Sequence, residues 1–339
     1  MARTYSGREW KAILGIVDSN AGSSAGAIGA ATHDANTESG TKAAFRVTSP
    51  LNDVAWDAGY QRAEIERAGY RGIRNNEIIN HYGSGTWTWD FEYPADNEMA
   101  LQNLLTLIYP SAGDVTTAFT LPANPLVEDY DHGNEDATNK CGVVILENPL
   151  AAKDRVLNSA ILQNLTLAMD ASTNGGLLTA SGQMMTGYKP LIETNSVAVD
   201  TAASDYNKGL FDCTTHTIAG AAATFKSFSI TLENPANRIG YQGSAGETDG
   251  YSRGSAFKVT GTMSVKADST VQGYLESKWN TNTSIAIAIG DGTNIDFSIP
   301  AANISAFNLD QADEGTFVEI AWTATAGTAA GNLAVIKLT

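Results

Sequence analysis

The sequence predicts a mainly β chain built as two tandem, related β-sandwich or barrel domains, each with one packed α-helix. Three observations carry that reading. In residues 256–279, Phe257, Val259, Met263 and Val265 alternate with Lys258, Thr260, Thr262, Ser264 and Lys266, the two-residue period of a half-buried strand. Asp268 then offers a side-chain acceptor to a helix start, and Val271, Tyr274, Leu275 and Trp279 follow on one helical face. The same unit recurs at residues 86–108. There Trp87, Trp89, Phe91 and Tyr93 alternate with Thr88, Asp90 and Glu92, Asp96 stands in the cap position, and Met99, Leu101, Leu104, Leu105 and Ile108 form the helical stripe. The third observation is a pair of segments of equal length, 170–187 and 310–327. Each opens on an acidic turn, places glycine at the same step (Gly175, Gly315), continues as a strand and follows another strand, so each half gains a hairpin.

In chain order, residues 1–40 read as an N-terminal arm with a short strand near 10–17 and a small-residue run after it. Residues 41–200 form the first domain and 201–339 the second. Residues 52–80 mix Arg62, Glu64, Glu66, Arg67, Arg71 and Arg74 with Tyr60, Ile65, Tyr70 and Ile73, and read as a solvated loop, a short helix or an extended subunit contact. The helix of the first unit is followed by an acidic insertion at about 110–140, read as a solvated loop. Residues 141–147 are a short buried strand, and the loose Ala/Thr-rich stretch 191–223 carries the domain boundary. Phe228, Ile230 and Leu232 alternate as the strand that opens the second domain, and 235–254 is a Gly/Ser/Asp loop too long for a simple turn. Ile285, Ile287 and Ile289 lead into Asp291-Gly292, and Ile295, Phe297 and Ile299 pair back, a hairpin with the expected turn chemistry. The last strand falls at 332–339. The expected core of the two strand-helix units is Trp87, Trp89, Leu104 and Leu105 in the first, and Val259, Met263, Tyr274 and Leu275 in the second.

Composition narrows the function. The chain has 339 residues, 43% of them hydrophobic, enough for real cores; 37 acids against 21 bases give a net charge of −16. That balance argues against a binder of nucleic acid or anionic membranes, whose affinity comes from Lys and Arg releasing phosphate counterions. No apolar run reaches the length of a membrane helix, and the first residues lack a signal-peptide core. Cys141 and Cys213 suit an intracellular chain with free thiols.

Catalytic signals are thin. Residues 22–26 fit G-x-S-x-G, but in a low-complexity run without the strand and helix that a nucleophile elbow requires. His33, His81, His132 and His216 lie far apart with no metal-ligand spacing. Asp291, Asn294 and Asp296 lack the spacing of a calcium loop and are accounted for by the hairpin turn. No cofactor and no enzymatic activity is expected.

The course F-K-S-F-S-I-T-L-E-N-P, R-G-S-A-F-K-V-T-G-T-M-S-V-K-A-D, I-A-I-A-I-G-D-G and E-G-T-F-V-E-I-A-W-T-A resembles the tail tube proteins of long-tailed bacteriophages. So does the first half, with G-S-G-T-W-T-W-D-F before a Leu-rich helix and N-S-A-I-L-Q-N-L-T-L-A-M before G-L-L-T-A-S-G. The resemblance covers about residues 80–190 and 225–339 and rests on strand pattern and turn placement. It implies packed β-sheets with a helix against them, and a structural virion protein assembled in the host cytoplasm. It further implies stacked rings around a channel that DNA crosses without specific binding. Tape measure, tail terminator and baseplate proteins are the implied partners, and the family carries no catalytic residues to transfer. The doubled chain points to rings of three copies with approximate sixfold symmetry. Candidate channel-lining residues are Asp90 and Glu92 in the first half and Thr262 and Ser264 in the second. The alternative readings are a virion-surface or extracellular β-sandwich that binds or decorates, and an esterase resting on Ser24.

Overall fold

The computed structural model of the chain describes residues 11–18, 42–45, 61–65, 75–80, 87–108, 119–122, 140–148, 154–187, 191–193, 206–239, 250–253, 255, 257–312, 315–325 and 332–338. In chain order the first half contains β1 (Lys11–Asp18), β2 (Lys42–Phe45), β3 (Gln61–Ile65), β4 (Asn75–Asn80), β5 (Trp87–Tyr93), α1 (Glu98–Ile108), β6 (Phe119–Pro122), β7 (Lys140–Glu147), β8 (Asp154–Asp170), β9 (Thr179–Thr186) and β10 (Leu191–Glu193). The second half contains β11 (Thr215–Ile218), β12 (Ala221–Ala222), β13 (Phe225–Glu233), β14 (Ala236–Ile239), β15 (Gly250–Arg253), β16 (Lys258–Lys266), α2 (Ser269–Thr281), β17 (Ile285–Gly290), β18 (Ile295–Ala312), β19 (Gly315–Ala324) and β20 (Asn332–Leu338). Among the described residues all strand pairs are antiparallel.

One sheet runs through both halves in the order β5-β9-β8-β13-β16-β19-β18. The long strands β8 and β18 each serve two sheets. Beside β9, β8 shifts register between Leu162 and Asn164; beside β19, β18 shifts between Ile304 and Ala306. An extra residue at such a point bends a strand and re-aims it. The N-terminal part of β8 therefore belongs to an outer layer with β7, β1, β2 and β10. The N-terminal part of β18 belongs to a second outer layer with β17, β11, β12 and β20. β6, from within the acidic insertion of the first half, adds to the free side of β20. The rest of residues 110–139 lies outside the described residues.

The core sits between the shared sheet and these outer layers. From the sheet come Trp89, Tyr93, Leu165, Leu167, Phe228, Ile230, Val259, Met263, Val318 and Trp322, all buried; from the outer layers come Leu14, Val144, Leu157, Ile287 and Ile336. Phe228 lies against Phe297 and Trp322, with ring centroids 5.4 Å and 6.2 Å away. Each half solves one packing problem by opposing a large ring with a glycine. Phe91 faces Gly182 across β5 and β9, where an added Cβ meets the Phe91 ring at 3.0 Å; Trp322 faces Gly261 across β19 and β16 and leaves no room for one.

Several elements differ from the sequence expectation. Residues 61–65 and 75–80 form the hairpin β3–β4, because Arg62, Glu64 and their neighbours can alternate along a strand as well as sit in a loop. The ends of 235–254 zip together as β14–β15, which shortens the loop; its tip, 240–249, lies outside the described residues. The strand expected over Ile295, Phe297 and Ile299 and the strand expected just before the 310 turn are one continuous bent strand, β18. In the arm, β1 is the strand expected near 10–17, and it joins the first outer layer through β7. The remainder of 1–41 lies outside the described residues.

Candidate channel-lining face

The shared sheet has one apolar and one polar face because its strands alternate. On β13, Phe228, Ile230 and Leu232 turn to the core while Ser227, Ser229, Thr231 and Glu233 turn away. Neighbouring strands keep that parity: Thr231 stands opposite Thr166 on one side and Thr260 on the other, and Ser229 stands opposite Ala168 and Thr262. Hydroxyl pairs knit the face together. Thr166 and Thr231 approach to 2.9 Å, and Ser229 and Thr262 to 2.8 Å. Such pairs across a ladder stabilise a sheet modestly and leave its surface neutral and wettable.

Charge on this face comes from both halves. Asp90 and Glu92 on the end strand β5 are exposed, and Gln183 donates its side-chain amide to Asp90 at 2.6 Å. Asp170, Glu233, Glu319 and Asp310 share the face, against Lys258 and Lys266 and with Lys226 at its border over the Phe317 ring. These four further acids were not singled out from the sequence. Glu319 was legible, since it alternates between Val318 and Ile320 in a strand already assigned; Asp170 and Asp310 read there as turn acids.

The sequence-derived candidates fall as follows. Thr262 is exposed on the polar face, next to Asp90 and Glu92 in parity though several strands away. Ser264 points to the same side but is only 7% exposed, opposite Glu319 and beside Ser227, so it contributes little surface. Trp89, Leu104, Leu105, Val259, Met263 and Leu275 are buried. Tyr274 is half-buried at the border of the core, with Lys278 Nζ over its ring at 5.4 Å. The side chain of Trp87 lies outside the described residues; its backbone pairs with Thr186.

The two helix starts differ. Asp268 caps α2 as expected: its Oδ1 accepts from the amides of Thr270 and Val271, both at 2.8 Å, and those bonds, aided by Lys266, hold its carboxyl below the usual range. At α1 the acceptor is Asn97, which takes the Ala100 amide at 3.0 Å, while the Asp96 carbonyl receives the Tyr206 amide at 2.9 Å. The backbone bend at Ala95 (φ 51°) shifts the cap by one residue from the expected Asp96. Trp279, expected on the buried helical stripe, is 43% exposed and stacks on Phe307 instead.

Two buried polar residues tie the halves together, and neither was legible in the sequence. Asn234 donates its side-chain amide to the Ile108 carbonyl at the end of α1 (2.8 Å) and its backbone amide to Gln163 (2.8 Å) at the bend of β8. Tyr206 couples the turn before α1 to the β17–β18 turn, its hydroxyl donating to the Asn294 carbonyl at 3.2 Å. That turn is organised by Asp291. Burial pushes its carboxyl up, but the amides of Ile295, Thr293 and Asn294 and the Asn294 side chain outweigh it and hold the group well below the usual range. The buried Cys213 thiol nearby is pushed up to about 12 by burial and then by Asp291, so it is an inert thiol. Among the described residues no group of His, Cys, Asp or Glu is arranged to hold a metal ion, and no helix is long and apolar enough to cross a membrane. The G-x-S-x-G run lies outside the described residues.

The geometry is thus that of an extended polar wall with no convergent catalytic group among the described residues. A comparison with curated proteins finds no match. The model of the phage tail tube protein family matches residues 10–324, nearly the whole chain, and the chain belongs to that family.

Proposed function

We propose that three copies of this chain close into a ring, that rings stack into the tail tube, and that the polar face of the shared sheet lines the channel through which DNA leaves the virion. Membership of the family makes the chain a structural component of the phage tail that self-assembles into a tube with other tail proteins. The observation that carries the finer reading is the shared sheet itself, in which β8 of one half pairs with β13 of the other from Asn164–Glu233 to Asp170–Ser227. A chain that joins two strand-helix-hairpin units through one ladder does the work of two single-unit subunits, so three chains supply six units. The polar face supports the conduit. A conduit has to let DNA slide, and a wall of hydroxyls on which Asp90, Glu92, Asp170, Glu233, Asp310 and Glu319 outnumber Lys226, Lys258 and Lys266 offers phosphates little counterion release. It repels them within a Debye length, about 8 Å at physiological salt. Tape measure, terminator and baseplate proteins would meet this wall and the tube ends.

The test is Asp90→Lys with Glu92→Lys in assembled virions. Both side chains are exposed on the polar face, away from the core, so the chain folds and tubes form; the new cations bind phosphate and slow ejection, and the delay shrinks as salt rises. Ejection at the unmodified rate from well-formed tubes removes these residues from the channel wall.

A further inference from the structure

The polar face of the shared sheet is not level. In the second half it sinks into an open hollow of about 370 Å³, near the lower end of the roughly 300–1,000 Å³ of small-molecule sites. Its floor is Ala306 on β18 beside Ala321 on β19, which stand opposite each other in the ladder. One row along, Ser227, Ser264, Glu319 and Asn308 follow one another across β13, β16, β19 and β18 and form its wall.

The equivalent rows of the first half are filled and paired. Asn308 opposite Glu319 matches Ala168 opposite Thr179, and Ala306 opposite Ala321 matches Thr166 opposite Ser181. There Thr166 meets Thr231 at 2.9 Å, and the Thr179 hydroxyl donates to the Ala168 carbonyl at 3.2 Å. In the second half alanines stand in the places of Thr166 and Ser181, and a carboxylate in the place of Thr179. Among the described residues, no side-chain hydrogen bond or ion pair engages Ser227, Ser264, Asn308 or Glu319. Ser264 is the sharpest case, since it is only 7% exposed and still lines the hollow without a partner. A polar side chain covered to that extent ordinarily has one.

We propose that this hollow binds a primary ammonium group carried on a short alkyl stem. Glu319 is the one charged residue of the wall, and a single positive charge matches it. The other groups are neutral acceptors: the hydroxyls of Ser227 and Ser264 and the amide oxygen of Asn308. An ammonium has three N–H donors and no acceptor, so it can engage the carboxylate and two of these together. Calcium asks for about six to eight oxygens, several of them carboxylate, which this wall does not offer. The methyls of Ala306 and Ala321 give the alkyl stem an apolar bed. Beyond the wall, Lys266 and Asp310 flank Phe317 with opposite charges, so that row adds none of its own. The same group is found on free aliphatic amines and on lysine side chains. The site lies within a single chain, so it stands whichever way the polar face turns in a tube.

The test is binding to the full chain, followed by ligand-observed NMR. The probes are putrescine, acetyl-lysine amide as a lysine side chain, and butanol as the uncharged control. Putrescine should bind and butanol should not. Glu319→Gln removes the charge, and Ala306→Leu fills the hollow while keeping it; each should weaken putrescine binding about tenfold. Both positions are exposed, so the melting temperature of the free chain should not change, and if Glu319→Gln lowers it, Ala306→Leu decides. Glu276→Gln removes the same charge from the outward side of α2 and should bind as the unmodified chain does. Binding of putrescine alone assigns the site to free amines, and binding of acetyl-lysine amide as well extends it to polypeptide lysines. Absent putrescine binding, equal losses in Glu276→Gln and Glu319→Gln, or undiminished binding by Ala306→Leu leaves only diffuse attraction to an acidic chain and overturns the proposal. None of these outcomes bears on the tube reading, which fails separately if the unmodified chain forms no tubes.

Discussion

The two helices follow equivalent strands, yet α1 buries eight of its eleven residues and α2 only Val271 and Leu275 of its thirteen. The difference lies in what covers them. α1 is packed between β8 and the outer strands β1, β2 and β7, so nearly every side meets protein and its sequence is apolar almost all round. α2 packs on β18, and its outward side carries Gln272, Glu276, Ser277 and Lys278. The same local unit thus serves as an internal core helix in one half and as a surface helix in the other.

Three perturbations sharpen this comparison. The largest effect is expected from Leu105→Ala, which leaves a cavity on a fully enclosed helix and costs about 2–5 kcal/mol. Leu275→Ala removes the same atoms beneath α2, where solvent-side groups can relax, and lands at the lower end of that range. Denaturant titration of both variants checks the order, and a larger loss at Leu275 breaks the comparison. Next comes Asn234→Ala, which leaves the Ile108 carbonyl without its side-chain donor and costs about 1–3 kcal/mol. Because Asn234, just after β13, reaches to α1, its loss should weaken both halves together, seen as one shifted thermal transition; two separated transitions would show that the halves unfold independently.

The smallest effect is electrostatic and confined to the second half. Asp268 and Asp291 have carboxyls held below their ordinary values by backbone amides. A depressed folded pKa contributes stability that is fully present above the unfolded value, near 4, and is lost as pH falls through the lower folded value. Stability should therefore decline below about pH 4, and Asp291→Ala, already lacking the contribution, should decline less steeply. An identical acid profile for the variant would show that the turn is not held by this carboxylate.

Much of the fold was readable from alternation and turn chemistry. The Ile285–Ile289 strand, its Asp291 turn and the returning strand appear as expected, as do the Asp268 cap and the burial of Leu104, Leu105 and Leu275. What period-two patterns do not encode is which strand neighbours which. Phe228, Ile230 and Leu232 mark a strand with one buried face, but nothing in them says that its edges meet β8 as well as β16. For the same reason alternation places Ser264 on the polar face without revealing the neighbours that cover it, and helical spacing places Trp279 on one stripe with Leu275 without revealing that its end reaches only the border of the sheet, over Phe307. Asn234 and Tyr206 act through single long-range hydrogen bonds, which leave no local signature.

The most direct test of the account is a reconstruction, without imposed sixfold symmetry, of tubes formed by the full chain. It should show three chains per ring, with Asp90, Glu92 and Thr262 facing the lumen. Six chains per ring, or the polar face of the shared sheet turned outward, would contradict it.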